Sequence, residues 1–455
     1  MLHSNIFSNS IFVSILGFLL IAFLLVFGKR LNFAIQLERF GLPIAVLCGL
    51  FGILIGPYGI FNILSKETTE IWEGLLTPLL SIVFATLMLG RAIPDLKGLI
   101  KPITNQFLLA LALGFGQFFV GGLVVKFFLS DLKNVNPLMG CLIEVGFEGG
   151  HGAAAIIGNS FNKLGFPEGL DLGLAMATMG LLSSSMIGSI FILLGKVLNI
   201  TNHLDKPKYR NNNDFKYKFN ILEDLKILLI NGGLAGLAIL IGILLIKIIR
   251  LTSSYFGDFS KEVIYSLPVF PLILIGSLLI RYFLEKTNKT AFISQILQRE
   301  MGILSTDLLI FSAMASLNLS TVMSNLTPIL LLTVFGLIWN ILCIAYFAYY
   351  IFDDYWFEKG LAEFGNSTGV VASGLLLLRL ADPNNISKTL PIFTSKQLFA
   401  QLLLSGGFFT VLSPFLLSKV GLTYWTEICG VLSILIIIIA FLLNNKLAVL
   451  FKSQK

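Results

Sequence analysis

Long apolar runs separated by short polar stretches dominate this chain. In its first part they predict helices near Ile11–Phe27, Leu42–Ile55, Leu75–Leu89, Gln106–Leu129 and Leu170–Leu198. In its second part they predict helices near Leu222–Ile249, Ile264–Leu284, Ile303–Leu317, Thr327–Ile351, Leu390–Leu417 and Trp425–Leu443. Such apolar runs are typical of helices that cross a lipid bilayer. The pattern predicts an all-α polytopic membrane protein.

Two irregular stretches interrupt this pattern at matching places, near residues 144–163 and 358–376. The first is rich in glycine, with Gly149, Gly150 and Gly152 close together. Irregular backbone is tolerated at membrane depth only where protein or a water-filled cavity covers its polar groups. Each stretch is therefore interpreted as a re-entrant hairpin.

The order of these elements repeats. Residues 1–198 and 221–420 each contain five predicted helices and one irregular stretch, and Gly74–Ala85 of the first half resembles Gly302–Ala313 of the second. Because an odd number of spans precedes the cytoplasmic connector at 199–220, the second half enters the membrane upside down. The sequence thus predicts two inverted repeats of five transmembrane helices, each with a re-entrant hairpin, as in many secondary transporters.

Composition and charge support this class and orient it. Hydrophobic residues make up 56% of the 455-residue chain and charged residues 13%, which excludes most water-soluble folds. The net charge of +7 could suit a nucleic acid, but basic residues of membrane proteins usually mark cytoplasmic loops. With the N-terminus outside and the C-terminus cytoplasmic, 24 of the 32 Lys and Arg lie inside, including Lys359 and Lys396. Residues 421–455 supply one extra C-terminal helix, interpreted as an appendage, and a tail.

The predicted hairpin tips offer two kinds of binding group. At the first tip, backbone N–H groups that begin a return helix favour an anion, and glycines let a carboxylate approach. At the second tip, side-chain oxygens and free carbonyls suit a small hard cation such as Na⁺. The alternative is that the glycines only allow close helix packing. The predicted substrate site comprises Glu148, Gly149, Gly150, His151, Gly152, Ala153, Asn366, Ser367, Thr368 and Gly369.

The Na⁺ candidates include polar residues from other helices. They are Gln117, Asp307, Asn340, Asn366, Ser367 and Thr368. Two alternatives stay open: Asp307 caps the first turn of its helix, and Gln117 and Asn340 hydrogen-bond between helices without touching substrate.

Ionisable residues near the first tip should avoid lipid, because a charge at the centre of a membrane helix costs about 2.5 to 3.5 kcal/mol. We expect His151 to hydrogen-bond substrate and Glu148 to hold a cation or an ammonium group. An aqueous vestibule near the outer surface is the alternative for Glu148 and the favoured place for Glu144. Glu358, before the second hairpin, is expected to be solvated at the cytoplasmic face.

Two motifs resemble one transporter family. Phe147–Ala155 (FEGGHGAAA) and Ala177–Gly188 (ATMGLLSSSMIG) are similar to the first-half signature of bacterial sodium/glutamate symporters. The resemblance implies two inverted halves of five helices, each with a re-entrant loop, and uptake of glutamate coupled to Na⁺; it also suggests a homodimer. Ala153 replaces a usual Thr, Glu148 replaces a small residue, and the second hairpin differs from the family pattern.

The resulting hypothesis is a bacterial inner-membrane transporter that takes up L-glutamate with Na⁺ by alternating access. No P-loop, zinc spacing or nucleophile elbow is present, so we expect neither an enzyme nor a cofactor. The alternative is a Na⁺- or H⁺-coupled symporter of another organic anion, citrate or a dicarboxylate. More remote alternatives are a passive channel and a membrane enzyme using Glu148 and His151 as an acid/base pair.

Overall fold

The computed structural model describes most of the chain. The described residues are Val26, Gly28 and Arg30, and residues 44–59, 61, 64–90, 100–132, 135–198, 200–201, 221–252, 264–265 and 267–443. The predicted helix Ile11–Phe27, the predicted connector 199–220 and the tail after Leu443 therefore lie outside them, apart from Val26, Ile200 and Thr201.

The described part of the first half forms six α-helices. They are α1 Ile44–Ile55, α2 Lys66–Leu89, α3 Ile100–Phe127, α4 Leu142–Phe147, α5 Gly150–Lys163 and α6 Gly169–Val197. A 3₁₀ turn, Pro137–Cys141, leads into α4, and Asn136 Oδ1 accepts from the Leu138 N–H at 2.9 Å to begin it. The four predicted helices of this half that lie within the described residues are found with shifted ends.

The second half contains the remaining helices. They are α7 Ile221–Thr252, α8 Phe270–Lys286, α9 Gln295–Ala315, α10 Leu319–Ser324, α11 Leu326–Leu342, α12 Ala348–Ile351, α13 Trp356–Ala381, α14 Thr389–Leu403, α15 Phe408–Val420 and α16 Leu422–Leu442. A π-helical turn, Cys343–Phe347, joins α11 to α12.

Two predictions for the second half are wrong. The predicted helix Leu390–Leu417 is interrupted at residues 404–407, where Ser405 and Gly406 have φ of +56° and +89°. The helix predicted to start at Ile303 begins earlier, at Gln295, where the Ser294 hydroxyl caps it. The first error concerns a short polar sequence within an apolar run and the second a polar stretch before one, and a hydropathy pattern places neither.

Eight helical segments in the described part of the chain are long and apolar enough to cross a bilayer. Two of them meet this criterion only by total length: α13 bends at Gly369–Val370, and Thr389–Val420 combines α14 and α15 across their interruption. The remaining six suffice for a multi-pass membrane protein, since a helix satisfies its own backbone hydrogen bonds in lipid.

The helices pack as two groups. The first consists of α1, α2, α7, α8 and α9, with α2 lying along both α8 and α9. The second surrounds the two irregular stretches and contains α3, α6, α11 and α13 to α16. Helix α5 joins the groups by packing on α2 and α9.

Helix α16 packs along α3 and does not stand apart. The Ser433 hydroxyl donates to the Ala112 carbonyl at 2.8 Å, and the rings of Trp425 and Phe118 meet edge to face at 5.5 Å. A Cβ on Gly122 would lie 2.0 Å from Thr426 Oγ1, so the absence of a side chain allows this approach. Helix α16 is thus part of the support for α3, which faces the irregular stretches.

Candidate functional site

Each irregular stretch contains a chain reversal. In the first, α5 begins at Gly150, whose φ of +67° lies in the left-handed region, and Val145 before it and Ala154 after it lie against the same residue of α6, Gly173. In the second, α13 is interrupted at Gly369 and Val370, and Val370 has φ of +65°. The arms of α13 fold back on each other, because a Cβ on Gly365 would lie 2.6 Å from the Cα of Gly374.

The two reversals touch. A Cβ on Gly150 would lie only 2.3 Å from Cγ1 of Val370, closer than two non-bonded carbon atoms can approach. In this position Val370 adopts a left-handed conformation, which is rare for a β-branched residue. Such strained conformations are typical of functional sites. The space beside Gly150 is therefore filled by the opposite turn.

The other residues of the first turn are closely packed too. A Cβ on Gly149 would meet the Cβ of Ala153 at 2.6 Å, and one on Gly152 would meet Leu80 at 3.0 Å. Small residues at 149, 152 and 153 thus let the first turn lie directly against its surroundings.

Four buried polar residues converge on the second turn. Gln117 Nε2 donates to Asn340 Oδ1 at 3.0 Å and to the Ser367 carbonyl at 2.6 Å. Asn340 Nδ2 donates to the same carbonyl at 3.2 Å and to Thr368 Oγ1 at 3.0 Å. We call these four residues the amide cluster. Gln117 Oε1 is buried without a hydrogen-bond partner, which is unusual in a native interior.

The second turn packs against small residues of α6. A Cβ on Gly180 would lie 2.3 Å from the Thr368 carbonyl, and the Ser184 hydroxyl donates to the Gly365 carbonyl at 3.3 Å. The second reversal therefore rests on a helix of the first half.

The acidic residues of the first reversal meet the interruption between α14 and α15. The Ser405 hydroxyl donates to Glu148 Oε1 at 2.8 Å, and the Thr410 hydroxyl donates to Glu144 Oε1 at 2.6 Å. Glu144 and Glu148 are 0% and 1% exposed, and the Oε2 atom of each has no hydrogen-bond partner. The expectation of an aqueous vestibule for Glu144 is wrong, because protein encloses its carboxylate.

A buried ion pair lies beside these acids. Lys396 Nζ on α14 is 2.8 Å from Glu363 Oε2 on α13, and neither side chain is exposed. The next residue, Gln397, donates through Nε2 to Asn366 Oδ1 at 2.8 Å. Lys396 was counted as a cytoplasmic loop residue, and this assignment is wrong because it lies fully buried within a helix.

His151 is buried near the first turn, against α6. Its Nε2 atom lies 3.1 Å from Thr178 Oγ1, and that hydroxyl also lies 3.0 Å from the Leu174 carbonyl. When the single hydroxyl hydrogen goes to the carbonyl, His151 Nε2 is the donor to Thr178. This hydrogen bond fixes the orientation of the His151 ring against α6.

Two further acidic residues differ from their predicted settings. Asp307 lies well inside α9, half-buried and within electrostatic range of Cys48, so the capping interpretation is wrong. Glu358 is 2% exposed at the start of α13, so the expectation that it is solvated is also wrong.

Sequence reasoning missed Glu363, Lys396, Ser405 and Thr410. Two signals were available: a lysine and a glutamate inside otherwise apolar segments, which are costly unless paired, and the Ser405-Gly-Gly407 sequence within a predicted helix.

The assembled region offers two chemically distinct environments. Around the second turn, uncharged oxygens and amides suit a small cation or a polar substrate group. Around the first turn, carboxylates with free oxygens suit a cation or an ammonium group. Within the described residues, no three His, Cys, Asp or Glu side chains group as ligands of a tightly bound metal.

Comparison with known proteins supplies a family. A sequence model of the sodium/glutamate symporter family matches residues 11–355, which is most of the chain and ends just before α13. Comparison with curated proteins finds no match. Among solved structures, the sodium proton antiporter MjNhaP1 from Methanocaldococcus jannaschii is similar, with 17% identity and a TM-score of 0.42, over 89% of this chain and 99% of that one.

Proposed function

Because the chain belongs to the sodium/glutamate symporter family, we propose that it carries L-glutamate into the cell together with Na⁺ by alternating access. The family makes it a sodium-coupled symporter in a membrane, with a solute and Na⁺ as its cargo. One observation supports the proposal most directly: two chain reversals touch at Gly150 and Val370 beside a set of buried polar atoms. Broken elements that meet in this way form the solute sites of many secondary transporters.

The amide cluster is the proposed Na⁺ site. The oxygen and nitrogen atoms of a side-chain amide can exchange places by rotation, and their assignment follows from the hydrogen bonds chosen. If both amides rotate, the bond between Gln117 and Asn340 persists with its donor and acceptor reversed. Both amide oxygens then face the Ser367 carbonyl and the Thr368 hydroxyl, which leaves four oxygens around one point.

Four converging oxygens are unfavourable without a cation and well suited to Na⁺. The unpartnered Gln117 Oε1 supports this arrangement, because rotation turns that atom toward the Ser367 carbonyl. Asn366 is not part of the proposed site, since its oxygen already accepts from Gln397. Asp307 is left out as well, because it faces α1.

We propose that the substrate binds at the first reversal. Glu148 supplies a free carboxylate oxygen for an ammonium group, while His151 and the N–H groups that begin α5 favour a carboxylate. A solute with both groups fits this pair better than citrate or a simple dicarboxylate does. These contacts favour an amino acid, and the family favours glutamate.

The remaining features of the proposal concern orientation and motion. We place the N-terminus outside and the C-terminus in the cytoplasm of a bacterial inner membrane, with the two halves inverted and both reversals re-entrant. The group that surrounds the reversals would move against the group formed by α1, α2 and α7 to α9. A homodimer is part of the proposal on family grounds.

Uptake of labelled glutamate into proteoliposomes tests the function. Uptake should require an inward Na⁺ gradient and should persist without a proton gradient. Competition with unlabelled aspartate, citrate and succinate separates the candidate solutes. Uptake that does not depend on Na⁺, or that citrate inhibits better than glutamate does, would contradict the proposal.

A further inference from the structure

The Lys396–Glu363 ion pair lies within electrostatic range of Glu148 in the first reversal, yet the proposed binding of substrate and Na⁺ does not use it. The pair joins α14 to the first arm of α13, with 2.8 Å between Nζ and Oε2 and no exposure of either side chain. Burying such a pair removes two ions from water, so a pair like this is weak evidence for stability alone. Its position beside other buried charged groups indicates a role in charge balance.

The groups that face this pair come from several elements. From the first reversal, Glu148 lies within electrostatic range of both Lys396 and Glu363, and Glu144 in turn acts on Glu148. From α3, the uncharged Gln106 side chain faces Glu363. The side chains of α6 and α11 that hydrogen-bond to α13, such as Ser184 and Asn340, do not titrate.

These groups form a cluster with unequal charges. It contains three buried carboxylates, Glu144, Glu148 and Glu363, and one buried ammonium, Lys396. A buried charge without a counter-charge is strongly unfavourable, so each carboxylate needs a positive partner or a proton. Lys396 satisfies one of them, and the other two must take a cation from solution.

We propose that Lys396 is a tethered counter-cation, a positioning residue that keeps Glu363 neutralised and so fixes how many cations the cluster takes up. This inference rests on the proposed function, because Glu148 belongs to the proposed substrate site. It goes further by dividing the three carboxylates. Glu363 is permanently paired, while Glu144, and Glu148 in the absence of substrate, take up H⁺ or Na⁺ from solution.

Three variants are expected to differ in the number of cations that they bind. Lys396→Met removes the ammonium, so Glu363 must bind one more cation from solution. Glu363→Gln frees Lys396 to neutralise Glu148, so the cluster binds one fewer. The double variant removes a neutral pair and should bind as many cations as the unaltered protein.

The number is measured in two ways. The first is the melting temperature of the full-length protein in detergent, measured across a series of Na⁺ concentrations and pH values. By ligand linkage, the number of cations bound on folding sets the slope of stability against the logarithm of cation concentration. The second is the number of cations carried per glutamate in proteoliposomes. For each additional cation bound, a tenfold change in the concentration of that cation changes the folding equilibrium constant by up to about tenfold more.

The slopes decide the proposal. It is supported if Lys396→Met is steeper by one cation, Glu363→Gln shallower by one, and the double variant unchanged. It is overturned if the variants differ only in melting temperature while all slopes coincide, which is the result of a purely structural ion pair. If Lys396→Met does not fold, Glu363→Gln and the double variant still decide.

The two proposals fail separately. The melting experiment needs no substrate, so it tests Lys396 even if the unaltered protein takes up no glutamate. Absence of Na⁺-driven glutamate uptake would remove the proposed function, whereas equal slopes would remove the role of Lys396.

Discussion

Replacing Gly150 by alanine tests the contact between the two reversals. The new Cβ would be forced into a left-handed conformation, at a cost of about 1–2 kcal/mol. It would also lie 2.3 Å from Val370 Cγ1, and overpacking of this kind typically costs about 1–3 kcal/mol more. We expect Gly150→Ala to lower the free energy of unfolding by about 2–5 kcal/mol and to abolish most uptake, because the turns must separate.

Gly165 provides a matched control. It has φ of +80°, but a Cβ there would meet nothing within 4 Å, so Gly165→Ala should carry only the conformational cost. Adding Val370→Ala to Gly150→Ala removes Cγ1 and should recover the overpacking part. Thermal unfolding in detergent and Na⁺-driven glutamate uptake are the assays. If Gly150→Ala destabilises no more than Gly165→Ala, or if Val370→Ala recovers nothing, the two turns are not in contact.

Three further changes test other parts of the site. Gln117→Leu should raise the half-saturating Na⁺ concentration by about tenfold or more, or about 1.4 kcal/mol, while Asn105→Leu on the same helix should not; equal effects would remove the amide cluster as the Na⁺ site. Glu148→Gln should weaken glutamate binding and spare a dicarboxylate in competition assays, and an equal loss for both would contradict an ammonium contact. Gly430→Leu should lower the free energy of unfolding by about 1–3 kcal/mol, because it overpacks the contact between α3 and α16. Gly236→Ala, with open space around it, should raise the free energy of unfolding by about 0.5–1 kcal/mol. Equal melting temperatures for these two variants would argue against tight packing of α16 on α3.

Much of the helical layout follows from the sequence, because lipid imposes one solution on long apolar runs. The places of irregular backbone were also visible, since clustered glycines at 149–152 cannot continue a spanning helix without cost. Gln117 and Asn340 were singled out for interrupting apolar helices, and both reach the second turn. Whether the reversals re-enter the membrane and the halves are inverted stays a prediction.

The rest depended on contacts between distant segments. Lys396 was interpreted as a loop residue because a positive charge usually marks the cytoplasmic side, and its partner Glu363 lies on another element. The interruption at 404–407 was missed because its flanks are apolar enough for one helix. Its stabilisation comes from Glu144 and Glu148, far away in sequence. Hydropathy describes a segment in lipid and contains no information about such partners.

The hydrogen bonds from Ser405 and Thr410 to the first-half carboxylates have a consequence for biosynthesis. A ribosome releases Glu144 and Glu148 long before their hydroxyl partners exist, so the nascent chain holds two acids at the membrane without their final neighbours. Protonation or residual water must cover them until the last eighth of the polypeptide is synthesised. Insertion of this protein therefore cannot be completed half by half, and a slow or acid-sensitive late step of assembly is expected.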